Sequence, residues 1–213
     1  MHPIFLPRGE AASAIALTFV NAASWRDVRD GLDSRARAFA DSCGFEPTPG
    51  RHLLLPSADG ALGGVLLGIE GDDDANKDPF RPAALCGILP SGNYRFANVP
   101  HDSRLAALAF ALGCYRFARY HKQDGKELRL ELPGNVDGAD LSRIVEGVYL
   151  ARDLINTPAN DMGPPELEQT ARTLANRHGA SMRTLEGDEL IAENFPLVHA
   201  VGRAAARAPR SST

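Results

Sequence analysis

Apolar positions along this chain recur at two periods. Trp25, Val28, Leu32, Ala36, Phe39 and Ala40 lie three and four residues apart, which predicts a helix with one face turned to a sheet. Ser24 with Asp27 three residues on is a capping-box variant at its start, and Gly44 stands where a left-handed cap would close it. Behind Asp102 as N-cap, Leu105, Leu108, Ala109 and Leu112 form a second stripe, continued by Cys114, Tyr115 and Phe117. From Asp140 a third helix carries Leu141, Ile144, Val145, Val148, Ala151 and Ile155 on one side and Leu150 and Leu154 on another, so it should be covered on two sides. Short apolar runs bounded by Pro, Gly and Asp read as strands: Ile15–Val20, Leu53–Leu55, Leu62–Ile69 and Ala83–Leu89. Gly60, Gly63 and Gly64 between two of them suggest a hairpin. Glu127–Leu132 alternates with period two, and Pro133-Gly134 ends it.

Strands and helices interleave up to about residue 135, the pattern of an α/β domain with a mixed sheet spanning residues 1–135. Residues 136–163 then form a linker helix and a hinge. Thr157 precedes Pro158, which disfavours the helical region and stops the helix. Pro164 and Pro165 fit the first turn of a new helix, with Leu167, Ala171, Leu174 and Ala175 on its inner face and Gly179 as its cap. A strand at Ser181–Leu185, a helix at Asp188–Glu193 and an apolar strand at Leu197–Val201 follow. Residues 164–213 therefore read as the incomplete start of a second α/β domain, whose uncovered edge and apolar face favour association or local disorder.

Composition adds exclusions. With 44% hydrophobic and 23% charged residues the chain is expected to fold, and its net charge of −4 argues against phosphate-backbone binding, so nucleic acid is not expected as a partner. The three cysteines, Cys43, Cys86 and Cys114, are far apart and form no C-x-x-C pair, which suits reduced thiols and a cytoplasmic protein. Cys114 reads as packing rather than chemistry. The N-terminus MHPIFLPRGE lacks the layout of a signal peptide, and no run of 18 uncharged apolar residues predicts a membrane span.

Candidate chemistry is sparse. Asp72, Asp74 and Asn76 alternate as in a calcium loop, but Lys77 stands where the turn needs Gly and Ala83 where a bidentate Glu is needed, so the segment from Gly71 to Pro79 reads as a solvated acidic loop. His2, His52, His101, His121, His178 and His199 are scattered singly, with no H-E-x-x-H. No nucleophile elbow and no phosphate loop occurs. Asn156, Thr157, Asn160 and Asp161 could line a cleft, yet beside prolines such residues more often bond their own backbone. Arg203, Arg207 and Arg210 lack interleaved aromatics and read as a solvated tail. No residue of this chain is assigned a catalytic, cofactor-binding or metal-binding role.

The stretch ARDLINTPANDMGP (Ala151–Pro164), followed by a helix and then AVGRAAARAPR (Ala200–Arg210), resembles the leucyl aminopeptidase family, also called cytosol aminopeptidases. LGCYRFARY at Leu112–Tyr120 is similar to that family's N-terminal domain. The resemblance implies an N-terminal α/β domain joined, by a helix ending in Asn-Thr-Pro-x-Asn, to a catalytic domain that removes N-terminal residues from peptides. It also implies two divalent metals, zinc or manganese, bridging a water, and a hexamer built of two trimers. Some bacterial members also bind DNA. The implied ligands sit in G-K-G-x-x-F-D-x-G-G and N-T-D-A-E-G-R segments, neither of which occurs here, and the chain departs from the family pattern at Ser211-Ser212-Thr213. The expectation is a fragment of a two-metal leucyl aminopeptidase that is inactive by itself. The alternative is a non-catalytic interaction or assembly module derived from that family.

Overall fold

A computed structural model describes residues 1–9, 13–120, 125–203 and 210–212, the last three as backbone. Residues Met1–Tyr149 and Leu150–Thr213 form two compact units. The first is built on a six-stranded sheet of β1 (Phe5–Leu6), β2 (Ile15–Val20), β3 (His52–Pro56), β4 (Leu62–Gly68), β5 (Gly92–Phe96) and β6 (Leu128–Glu131). Their order is β1-β6-β5-β2-β4-β3, with every neighbouring pair parallel except β3 and β4. The sheet is therefore mixed, as the sequence suggests, and its one antiparallel strand comes from a hairpin. Ser57 N–H donates to the Ala61 carbonyl at 2.8 Å, and Gly60 takes φ +86°, which a side chain would disfavour.

Helices cover both faces. On one side α1 (Trp25–Gly31) and α2 (Ser34–Ser42) pack Ala36 and Ala40 against Val20, Leu55 and Leu66. On the other, α3 (Leu85–Ile88), α4 (Ser103–Gly113) and the first half of α5 (Gly138–Asn156) close over Leu17, Phe19, Val65, Leu67, Tyr94 and Leu130. From Gly64 to Gly68 both faces of β4 are thus dry. That is why Val65, Leu66 and Leu67 run apolar without alternation, each contributing about 1.5–3 kcal/mol by burial.

Several expected elements differ. The long helix after Ser24 is two helices, because Leu32 is extended (φ −68°, ψ 147°) and Asp33 starts again, its carboxylate accepting from Arg35 N–H and Ala36 N–H. The reciprocal cap predicted for Ser24 and Asp27 lies three residues earlier: Asn21 Oδ1 accepts from Ser24 N–H at 2.9 Å, and Ser24 Oγ from Asn21 N–H at 3.0 Å. Ala83–Leu89, expected as a strand, lies in a 3-10 turn (Arg81–Ala84) and α3. Pro82 in the first turn presets φ there, and an apolar run this short has no period to separate helix from strand. The stripe after Asp102 ends as helix at Gly113 rather than continuing to Phe117, although Asp102 caps Leu105 N–H as expected, at 2.8 Å. α5 begins before Asp140, because Asp137 Oδ1 accepts from Ala139 N–H and Asp140 N–H. β1 and β5 have no clear sequence signal: β1 is two residues long, and β5, Gly-Asn-Tyr-Arg-Phe, buries only Tyr94.

The second unit holds α6 (Pro164–His178), β7 (Thr184–Glu186), α7 (Glu189–Ala192), α8 (Pro196–Gly202) and β8 (Arg210–Ser212), with β7 and β8 paired antiparallel. Pro164 and Pro165 open α6, and Gly179 at φ +65° closes it, as the sequence predicts. Leu197–Val201, expected as a strand, is helical in α8. Asn194 at φ +63° turns the chain and Pro196 opens a helical turn, while five apolar residues in a row fit either state.

Close packing at α4 makes a testable demand. A Cβ on Gly113 would stand 2.5 Å from the Ala83 carbonyl oxygen, whereas one on Gly147 in α5 would meet nothing within 4 Å. Gly113→Ala should cost about 1–3 kcal/mol, and Gly147→Ala should gain roughly 0.5–1 kcal/mol. Urea midpoints of the two variants check this, and a Gly113→Ala midpoint equal to wild type would contradict the close approach.

Candidate functional site

Strand order reverses between β2 and β5: the chain leaves β2 towards β4 and β3, and leaves β5 towards β6. In open parallel sheets the crevice outside the carboxyl ends at such a point is where ligands bind. Here it is a cavity of about 490 Å³ with Asn21, Ser24, Asp72, Lys77, Asn98 and His101 in its wall. Asn98 is committed to structure. Its Oδ1 accepts from Phe19 N–H at 2.8 Å and its Nδ2 donates to the Phe19 carbonyl at 2.7 Å, extending the sheet with a side chain.

Past the end of β4, Glu70 is a buried carboxylate, 4% exposed. Its Oε1 pairs with the Arg81 guanidinium, and its Oε2 lies 3.6 Å from His101 Nε2. Glu70 Oε2, Arg81 Nε and His101 Nε2 are buried and lack a hydrogen-bond partner among the described residues. Burial by itself pushes the Glu70 carboxyl up. The Arg81 hydrogen bond, the backbone N–H groups of Glu70 and Asp78 and the Arg81 charge outweigh it, and hold the carboxyl below its ordinary range. Sequence reading misses this cluster because its members are 11 and 31 residues apart and belong to no motif.

These groups can hold charge and position a histidine, but no nucleophile is paired with a base here. The other histidines stay apart. His2 stacks edge-on against Tyr149 at 5.2 Å, and burial lowers its pKa against the opposing effect of Glu146. His52 and His178 are exposed, His199 lies 3.4 Å from Asp188, and His121 lies outside the described residues. Among the described residues no group of three His, Cys, Asp or Glu side chains is placed to hold a metal ion. The acidic loop from Gly71 is exposed, with Asp74 and Asp78 accepting from the backbone two residues on. In the hinge, Thr157 is buried and its Oγ1 donates to the Asp153 carbonyl at 2.6 Å, closing α5 rather than facing a ligand. Asn156, Asn160 and Asp161 are exposed, and Asp161 N–H and Met162 N–H both donate to the Pro158 carbonyl. Of the basic tail, Arg203 is exposed, Arg207 lies outside the described residues and Arg210 is described as backbone.

Comparison with known proteins gives two family matches in tandem. Residues 15–133 match the M17 aminopeptidase N-terminal domain, and residues 149–212 match the catalytic domain of the cytosol aminopeptidase family. A probable cytosol aminopeptidase of Syntrophotalea carbinolica is 35% identical over 199 residues, which is 80% of this chain and 40% of that protein. The crystal structure of the cytosol aminopeptidase from Coxiella burnetii superposes with a TM-score of 0.84 at 31% identity, over 97% of this chain and 44% of that one. The bottromycin maturation enzyme BotP in complex with Mn shares the fold, with a TM-score of 0.68 at 24% identity over 94% of this chain and 44% of that one. The chain spans between 28% and 48% of the length of the curated relatives it matches.

The buried carboxylate has a measurable signature. Because its folded pKa lies below the unfolded one, its stabilising contribution is present above the unfolded value of about 4.5 and is lost as pH falls through the folded value. Glu70→Gln leaves Arg81 without its counter-charge, and at pH 7 should cost about 2–3 kcal/mol, the low side for a broken buried pair because Arg81 is partly exposed. Denaturation at stepped pH should show the gap between wild type and variant narrowing below about pH 4.5. A gap independent of pH would exclude the ion pair as its source.

Proposed function

The chain belongs to the cytosol aminopeptidase family, and we propose that it supplies the N-terminal domain, the linker and the opening segment of the catalytic domain of a metal-dependent exopeptidase. The two family matches that flank residues 134–148 carry this reading, because one polypeptide joins both domain types in the family's order. On it, residues 1–135 are the N-terminal domain, 136–163 the linker helix and hinge, and 164–213 the start of the catalytic domain.

The activity proposed for the whole protein is removal of N-terminal residues from peptides. The Mn complex of BotP supports a divalent metal requirement for it. The described residues of this chain do not fit such ions, since they bring no three ligating side chains together. The family's ligand segments are also absent from all 213 residues. The share of this chain is therefore scaffolding. It folds the sheet domain and, through α5, leads into the catalytic segment. A cytoplasmic location is supported by relatives named cytosol aminopeptidases, and no described helix is long and apolar enough to cross a membrane. Nucleic acid is disfavoured as a partner by the net charge of −4.

Among the described residues of the second unit only Leu185 and Leu190 are buried large apolar residues, while Ile155, Leu197 and Val201 are 80%, 79% and 83% exposed. That exposure supports a core completed by more of the catalytic domain, with the family's hexamer as the assembled form. It also favours a second reading, a non-catalytic module that assembles with a full-length relative. Coding sequence for G-K-G-x-x-F-D-x-G-G immediately downstream supports the first reading, and an unrelated gene there supports the second.

Two measurements follow from the scaffold reading. Pure 213-residue chain, incubated with leucine p-nitroanilide and manganese, should release no nitroaniline above the blank. Metal-dependent release would overturn the assignment. Limited proteolysis should remove the second unit first and leave a stable core ending near Tyr149, whereas protection through Val201 would show that the second unit is stable in this chain.

A further inference from the structure

We propose that Cys86 and Cys114 are a paired thiol site that a peroxide oxidises to a reversible disulfide within the N-terminal unit. All three cysteines are free thiols in this structure, with Cys86 buried, Cys114 half-buried and Cys43 exposed. Cys86 lies in α3 and Cys114 immediately after α4, and the two segments meet where the missing side chain of Gly113 lets its backbone approach Ala83.

One carbonyl oxygen places both cysteines. The Phe110 oxygen accepts the Cys86 thiol at 3.0 Å and the Cys114 backbone N–H at 3.2 Å. The Cys86 thiol is thus directed at the same carbonyl that the Cys114 backbone N–H meets, which sets the two residues side by side. A disulfide needs the sulfurs about 2.05 Å apart, so bonding requires the two side chains to turn toward each other. Both line one cavity of about 300 Å³, into which Arg116 and Lys126 also project. Lys126 Nζ donates to the Cys86 carbonyl at 3.0 Å and Arg116 Nη2 to the same oxygen at 3.4 Å, so two cations are fixed beside the pair.

The neighbouring Cys114 thiol and then burial push the Cys86 pKa up, and Cys114, the more accessible of the two, is the group that meets an oxidant. Cys114 gives up its proton, its sulfur attacks one peroxide oxygen, the O–O bond breaks, and the departing hydroxide takes up that proton and leaves as water. Cys114 is then a sulfenic acid. The Cys86 sulfur attacks the Cys114 sulfur, the S–O bond breaks, and hydroxide leaves with the Cys86 proton as a second water. Two thiols have lost two electrons to one hydrogen peroxide, and a dithiol reductant reverses the change. Such a pair suits a reducing compartment, where disulfides are transient and redox-sensing.

The test uses the full chain carrying Cys43→Ser, treated with hydrogen peroxide, alkylated under denaturing conditions and mapped by mass spectrometry without reduction. The peptides containing Cys86 and Cys114 should be found linked, with intact mass lower by about 2 Da and restored by dithiothreitol. Adding Cys86→Ser should stop the reaction at a Cys114 sulfenic acid that dimedone traps. Adding Cys114→Ser instead should leave Cys86 reduced. Recovery of both cysteines alkylated, or of Cys114 over-oxidised beside an alkylated Cys86, would overturn the proposal.

Discussion

Burial of β4 on both faces is the constraint on which the first unit depends. A strand wedged between β2 and β3, with α2 over Leu66 on one side and the α3–α4 layer over Val65 and Leu67 on the other, has no wet surface from Gly64 to Gly68, so its residues there can be neither polar nor alternating. The same dryness sets the terms at its carboxyl end. Glu70, two residues past the strand, enters the interior as a charge and is kept there by the Arg81 guanidinium. The side chain of Asn98 meets the backbone of Phe19 for the same reason, since peptide groups out of reach of water must be paired.

Elements with a long period or a specific cap were legible in the sequence. The α4 stripe behind Asp102, the double proline opening α6 and the glycine hairpin between β3 and β4 each combine a pattern with a residue that permits few alternatives. Short apolar runs without such a residue were not. Ala83–Leu89 and Leu197–Val201 both turned out helical, each near a proline suited to a first helical turn. The strand reading gave their hydrophobicity more weight than that proline. The Glu70, Arg81 and His101 cluster was illegible for a different reason. Its members meet only through the crossing of β4, the 3-10 turn and the segment after β5, and no local spacing encodes a crossing.

The hinge reads in structure as it does in sequence. Its polar residues serve the backbone: the Thr157 hydroxyl donates to the last turn of α5, and the Pro158 carbonyl gathers the N–H groups of Asp161 and Met162 into a tight turn. The polar residues there terminate one helix and set up another, a local task that needs no ligand. That economy explains how a stretch can identify a family without containing any of its chemistry.

The pairing of β1 with β6 has a consequence for how the unit is made. Phe5 stands opposite Leu130, and the His2 N–H donates to Ser142 in α5, so the first residues synthesised take their strand partner from near the end of that unit. Contacts this distant along the chain are entropically costly and form late. On the ribosome β1 has no native partner strand until Leu130 has been made, so the edge of the sheet that the amino terminus forms is completed only after the rest of its strands exist.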